Sequence, residues 1–115
     1  MQGKSQWLNT KDHLIGPFVR LARPETIEIL GMAGFDFAVI DLEHGGAVGM
    51  QDVYPLVLAA ERRGIKLIAR TPGLSEQYIK WLLDIGIGGL QIPHISSRKD
   101  AEKAVNFSKF NPLGQ

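Results

Sequence analysis

One pattern constrains this chain more than any other. Four times, a short run rich in β-branched or aromatic residues is followed by a longer segment with apolar residues at helical spacing. The first run, around residues 15–19, contains Pro17. Pro24 suits the first turn of a helix and Glu25 favours its positive end, with Ile27, Leu30 and Met32 read as inward-facing. Gly34 is read as a left-handed C-cap. Residues 35–41 form the clearest strand, apolar on both faces apart from Asp36 until it ends at Asp41, as in a strand covered on both sides. A helix from Gln51 to Arg63 follows, with Val53, Leu56, Val57 and Ala60 inward and Gly64 ending it. Residues 65–70 are the third strand, and Ser75 caps a helix running to Ile85 with Ile79, Leu82 and Leu83 inward. Residues 90–93 are the fourth strand, and Ser96 or Ser97 caps a last helix carrying Ala101, Ala104, Val105 and Phe107.

Strand–helix repeats of this kind imply parallel pairing with right-handed crossovers, hence an α/β fold. A small open sheet and the first half of an eight-fold barrel both satisfy the pattern. A complete (β/α)8 barrel needs ~250 residues, and the chain has 115. No cysteine is present, which excludes thiol catalysis, iron–sulfur ligation and disulfides. A net charge of +1 with interspersed signs argues against nucleic-acid or membrane-surface partners. No apolar run approaches the ~20 residues of a membrane span, and no apolar stretch follows Met1 to Ser5 as in a secretory signal. A cytoplasmic location is the expectation.

In both architectures function gathers where the strands end. Those ends bring Asp41, Glu43 and His44 from the second strand, Arg70 from the third, and Gln91 and His94 from the fourth. Asp41 and Glu43 point the same way in an extended chain, and a carboxylate beside an imidazole fixes its tautomer and raises its basicity. The competing reading has Asp41 capping a turn. Arg70 ends an apolar strand, where its planar fork suits a carboxylate or a developing enolate oxygen. The competing reading is an ion pair with Glu43 or Asp41. His94 reads as a solvent-facing or structural loop histidine, and His13 carries no assignment. The glycines at 86, 88 and 89 follow a helix and precede a strand, the wrong order for a phosphate cradle.

Several of these stretches together resemble the HpcH/HpaI aldolase family of metal-dependent pyruvate aldolases. Gly34-Phe35-Asp36-Phe37, then Ile40-Asp41-Leu42-Glu43-His44-Gly45, is similar to its central signature. Arg70-Thr71-Pro72 resembles its strand-three motif, and Leu82-Leu83-Asp84-Ile85-Gly86 with Leu90-Gln91-Ile92-Pro93 a further segment. Residues 110–115 look like its Y-P-P-x-G-x-R-G segment cut before the Arg, with Asn111 in place of the first proline. The resemblance implies that residues 14–115 are the first four βα units of a (β/α)8 TIM barrel, a half-barrel, behind a polar segment at 1–13. It implies a lyase that makes or breaks a carbon–carbon bond next to pyruvate, with an aldehyde as the other partner, in a homo-oligomer. A divalent ion (Mg2+, Mn2+ or Co2+) is implied to chelate the 2-oxo acid. His44 is then the base, Asp41 orients it, Arg70 holds pyruvate and stabilises the enolate, and Glu43 supports them. The metal-binding carboxylates of the family are expected beyond Gln115, with no metal ligand in this chain. Two other readings stand beside this one: a non-catalytic half-barrel that self-associates, and a barrel lyase acting on CoA-linked or phosphorylated acids. A half-barrel is also expected to leave open edges at its first and fourth strands and to expose part of its apolar interior.

Overall fold

The computed structural model of the protein describes residues 13–43 and 50–109. Residues 1–12, 44–49 and 110–115 lie outside the described residues. The elements alternate without exception: β1 (Phe18–Val19), α1 (Pro24–Met32), β2 (Phe37–Asp41), α2 (Met50–Arg63), β3 (Lys66–Arg70), α3 (Glu76–Asp84), β4 (Gly89–Gln91) and α4 (Arg98–Phe107). The four strands form one sheet in the order β1-β2-β3-β4, every neighbouring pair parallel. This is the α/β arrangement that the alternating pattern implies. No helix among the described residues is long and apolar enough to cross a membrane.

Register decides which side chains share a face, because residues paired across parallel strands point the same way and alternate along each strand. Val19, Ala38, Ile40, Leu67 and Ala69 lie on one face, each less than a tenth exposed. Against them pack Ile27 of α1, Val53, Leu56, Val57 and Ala60 of α2, and Leu82 of α3, making one continuous core. Burying each of the larger members contributes ~1.5–3 kcal/mol. The opposite face carries Phe18, Val39, Ile68 and Gly89 in one row, with Asp41, Arg70 and Gln91 in the next. At the centre of β2 both faces are covered, since Val39 is only 6% exposed. At the edge they are not: Phe18 of β1 is 56% exposed. Phe18 therefore presents an exposed apolar ring at this edge of the sheet.

Local contacts explain how the units join. Asp36 holds β1 in place, its Oδ2 accepting from the Ile15 N–H at 2.9 Å and its own N–H donating to the Ile15 carbonyl at 2.8 Å. Beside this contact a Cβ at Gly16 would stand 2.1 Å from the Phe37 carbonyl oxygen, so only glycine lets the chain lie against β2 there. Gly31 allows α1 and α2 a similar approach, beside the Glu28–Arg63 ion pair at 3.1 Å. Gly34 takes φ +94, as its expected role past the end of α1 requires. Gly88 packs a hypothetical Cβ position 3.0 Å from the Leu67 carbonyl oxygen, so that glycine of the 86–89 cluster serves strand packing.

One inward assignment needs correction. Met32 is 68% exposed. It lies five residues after the fully buried Ile27, about 140° further round a helix of 3.6 residues per turn, which turns it off the core face. At α4, Ser97 rather than Ser96 is the cap, its Oγ accepting from the Asp100 N–H at 3.1 Å, while Ser96 donates back to Asp100 Oδ2. None of the residues of α4 is buried, so this cap weighs heavily in its stability. Ser97→Ala is expected to cost about 1 kcal/mol locally and to speed amide exchange within α4 about fivefold. Hydrogen-exchange NMR checks this, and unchanged rates would remove the cap from the account.

Candidate functional site

The parallel register sets Asp41, Arg70 and Gln91 side by side at the carboxyl ends of β2, β3 and β4. The ladder continues one step beyond, with the Leu42 N–H donating to the Arg70 carbonyl at 2.9 Å and the Thr71 N–H to the Gln91 carbonyl at 3.0 Å. The ladder thus fixes the backbone of this rim, from which the three side chains project.

Asp41 uses both carboxylate oxygens. Oδ1 accepts from the Glu43 N–H at 2.9 Å, closing an Asx-type turn at the strand end. Oδ2 accepts from Arg70 Nη2 in a direct ion pair. Glu43 also faces Arg70, its Oε1 lying 3.8 Å from Nε, while its Oε2 is 3.0 Å from His94 Nε2. The guanidinium stands over the Phe18 ring, 5.2 Å from its centroid. Both bland readings of the sequence are thus present: Asp41 caps a turn and Arg70 pairs with Asp41 and Glu43. Together they build the site, because a guanidinium stacked on a ring and bounded by two carboxylates has a defined plane and a defined direction.

Burial and charge reinforce this order. The Asp41 and Glu43 side chains are each 14% exposed and Arg70 is 26% exposed, whereas His94 is 78% exposed at the outer edge. The hydrogen bond that Arg70 donates to Asp41 raises the Arg70 pKa above its ordinary value. Desolvation opposes that rise, and the charges of Asp41 and Glu43 add to it. Arg70 is accordingly a permanent cation at any working pH. A carboxylate can only accept, so this contact is a hydrogen bond when His94 Nε2 carries the proton.

The residues named from the sequence divide as follows. Asp41, Glu43 and Arg70 are brought into mutual contact. His44 lies outside the described residues. His94, read from sequence as a solvent-facing or structural loop residue, joins the cluster through Glu43. Its signal was its place just past a strand end, and its pairing with Glu43, 51 residues away, had none. Phe18 was not singled out at all, since only the β1–β2 register shows that it lies beside this rim.

A divalent ion does not fit the described residues. No group of three or more His, Cys, Asp or Glu among them is arranged to hold a metal. Asp41 and Glu43, the nearest pair of carboxylates, already face a guanidinium, whose charge repels a second cation. A cavity of about 300 Å³ lies at the amino-terminal ends of β3 and β4, by Glu61, Lys66, Gly86 and Ile87. That is the end of the sheet away from Arg70, and it has no part in this cluster.

Comparison with known proteins agrees with the geometry. The model of the family described as HpcH/HpaI aldolase/citrate lyase matches residues 14–115. The 5-keto-4-deoxy-D-glucarate aldolase of Escherichia coli O139:H28 (strain E24377A / ETEC) is 34% identical over 107 residues, which are 93% of this chain and 41% of the relative. The crystal structure of an HpcH/HpaI aldolase from Desulfitobacterium hafniense DCB-2 superposes with a TM-score of 0.87 at 29% identity, covering 96% of this chain and 42% of that one. The citrate synthase SbnG superposes with a TM-score of 0.87 at 34% identity, covering 95% and 44%. The chain therefore spans less than half the length of the curated relatives it matches.

Proposed function

Because the chain belongs to the HpcH/HpaI aldolase/citrate lyase family, we propose that it carries the enolate-forming residues of an aldolase acting next to pyruvate. The reaction is the cleavage or formation of a 4-hydroxy-2-oxo acid, with pyruvate and an aldehyde as the other side. The observation that carries this reading is the fixed guanidinium of Arg70 at the strand rim, held by Asp41 and Glu43 and stacked on Phe18. A preorganised planar cation is what a 2-oxo acid needs, both to hold its carboxylate and to stabilise the oxygen that becomes negative on enolisation. Arg70 has five N–H donors, so protein carboxylates and a substrate oxygen can be held together.

In this proposal Asp41 holds Arg70 and the turn leading to His44. His44 receives the proton that leaves the pyruvate methyl group, and Glu43 keeps Arg70 aligned. Mg2+, Mn2+ or Co2+ is the proposed cofactor, with its ligands among carboxylates beyond Gln115. The homo-oligomer is the proposed assembly, in the cytoplasm, and the incompletely covered sheet face around Phe18 supports such association.

Enolisation is testable without knowing the aldehyde. Pyruvate in D2O with Mn2+ or Mg2+ is expected to lose its methyl proton signal in the presence of the protein extended to carry those carboxylates, and to keep it with EDTA or with His44→Ala. A protein of that kind shown by circular dichroism to be folded, yet giving no exchange with either ion, would overturn the proposal.

A further inference from the structure

We infer that His94 is a positioning residue for Arg70: by holding one oxygen of Glu43 it fixes the other against the guanidinium and so sets the angle at which Arg70 meets its ligand. The inference rests on the reading of Arg70 as the pyruvate-holding group, and it gives a role to a residue that the family signature does not include and that the strand-end rule only placed at the rim.

Backbone, hydrogen bonding and stacking support it separately. His94 has φ +60, the single positive φ of a non-glycine residue among the described residues. Side chains other than glycine rarely adopt that conformation, and where one does its surroundings hold it there. Here the segment after β4 carries the imidazole across the end of β3 to a carboxylate anchored at the end of β2, 51 residues earlier in the chain. Its exposure of 78% alone describes an ordinary surface histidine; the 3.0 Å contact to a carboxylate that is 14% exposed does not.

The restraint on Glu43 is then complete. Its backbone N–H is bound by Asp41 Oδ1, its Oε2 by His94, and its Oε1 stands 3.8 Å from Arg70 Nε. The guanidinium carbon stands over the Phe18 ring at 5.2 Å from its centroid, with Asp41 on Nη2 and Glu43 towards Nε. Removing His94 releases the outer end of Glu43, whose long side chain then samples other rotamers, and Arg70 loses one of its two bounding carboxylates for part of the time.

The test uses two variants of the whole chain, His94→Ala and His94→Gln, and two readouts. One is the affinity for pyruvate by NMR titration. The other is the Arg70 Nε–H resonance in a 1H–15N spectrum, which a purely structural role would leave in place. His94→Ala is expected to weaken pyruvate binding about fivefold, the size of one lost hydrogen bond, and to shift and broaden the Arg70 resonance. His94→Gln keeps an N–H donor within reach of Glu43 and is expected to restore most of both. The unfolding midpoint should stay put, since His94 is exposed. An unmoved Arg70 resonance in His94→Ala would overturn the inference, and so would an equal effect of the Gln variant. If the unaltered chain binds no pyruvate but His94→Ala still moves the Arg70 resonance, the positioning role stands and the pyruvate reading falls.

Discussion

Replacing Arg70 with lysine is expected to slow metal-dependent exchange of the pyruvate methyl protons by about 10²-fold, although the charge is kept. The reason lies in shape. Lysine offers a compact ammonium with rotating donors, whereas the site is built around a plane: Phe18 below it, Asp41 on Nη2 and Glu43 towards Nε. An ammonium cannot satisfy two carboxylates and a ring face while also presenting a pair of parallel N–H groups to a substrate. Asp41 and Glu43 would keep a nearby positive charge, so the fold should survive, and an unchanged circular dichroism spectrum is part of the expected result. An Arg70→Lys protein with undiminished exchange would show that enolate stabilisation does not depend on the fork.

The largest effect on stability is expected from Leu82→Ala. Leu82 is completely buried and belongs to the core that joins α3 to the sheet, while the Ile87 N–H donates to its carbonyl at 3.0 Å. Truncation removes the transfer free energy of the lost carbons and leaves a cavity, together about 2–5 kcal/mol. Small domains have only ~5–15 kcal/mol in total, so urea denaturation should show a large fall in midpoint with little change in slope. Leu82→Met conserves volume and is expected to cost less than about 1.5 kcal/mol. A midpoint unmoved by Leu82→Ala would mean that α3 unfolds separately from β2 and β3.

The architecture was legible because its causes are local. Apolar runs broken by glycine, a proline at the first turn of α1 and serines before α3 and α4 each mark a boundary that the chain obeys within a residue or two. β1 is shorter than residues 15–19 suggest, since Pro17 has no N–H to give and pairing begins only at Phe18. Met32 shows the limit of reading a helix by composition: an apolar residue at the wrong angle is simply exposed. At the site, the residue types were legible and their partners were not. The sequence placed Asp41, Glu43 and Arg70 at one rim, but the choice between turn cap, ion pair and functional group has no local signal. Glu43 touching His94, and Phe18 lying under Arg70, depend on register between strands far apart in sequence.

Each strand in this sheet pairs with the strand that precedes it in the chain, with no later segment inserted between earlier ones. Assembly can therefore follow synthesis. Each strand reaches its neighbour by closing only the short loop through one helix, so the sheet can grow by addition at one edge. The rim bearing Asp41 and Arg70 is complete once β3 has docked, and the arrival of β4 brings His94 to lock it. The order in which the site is built is thus written in the order of the chain.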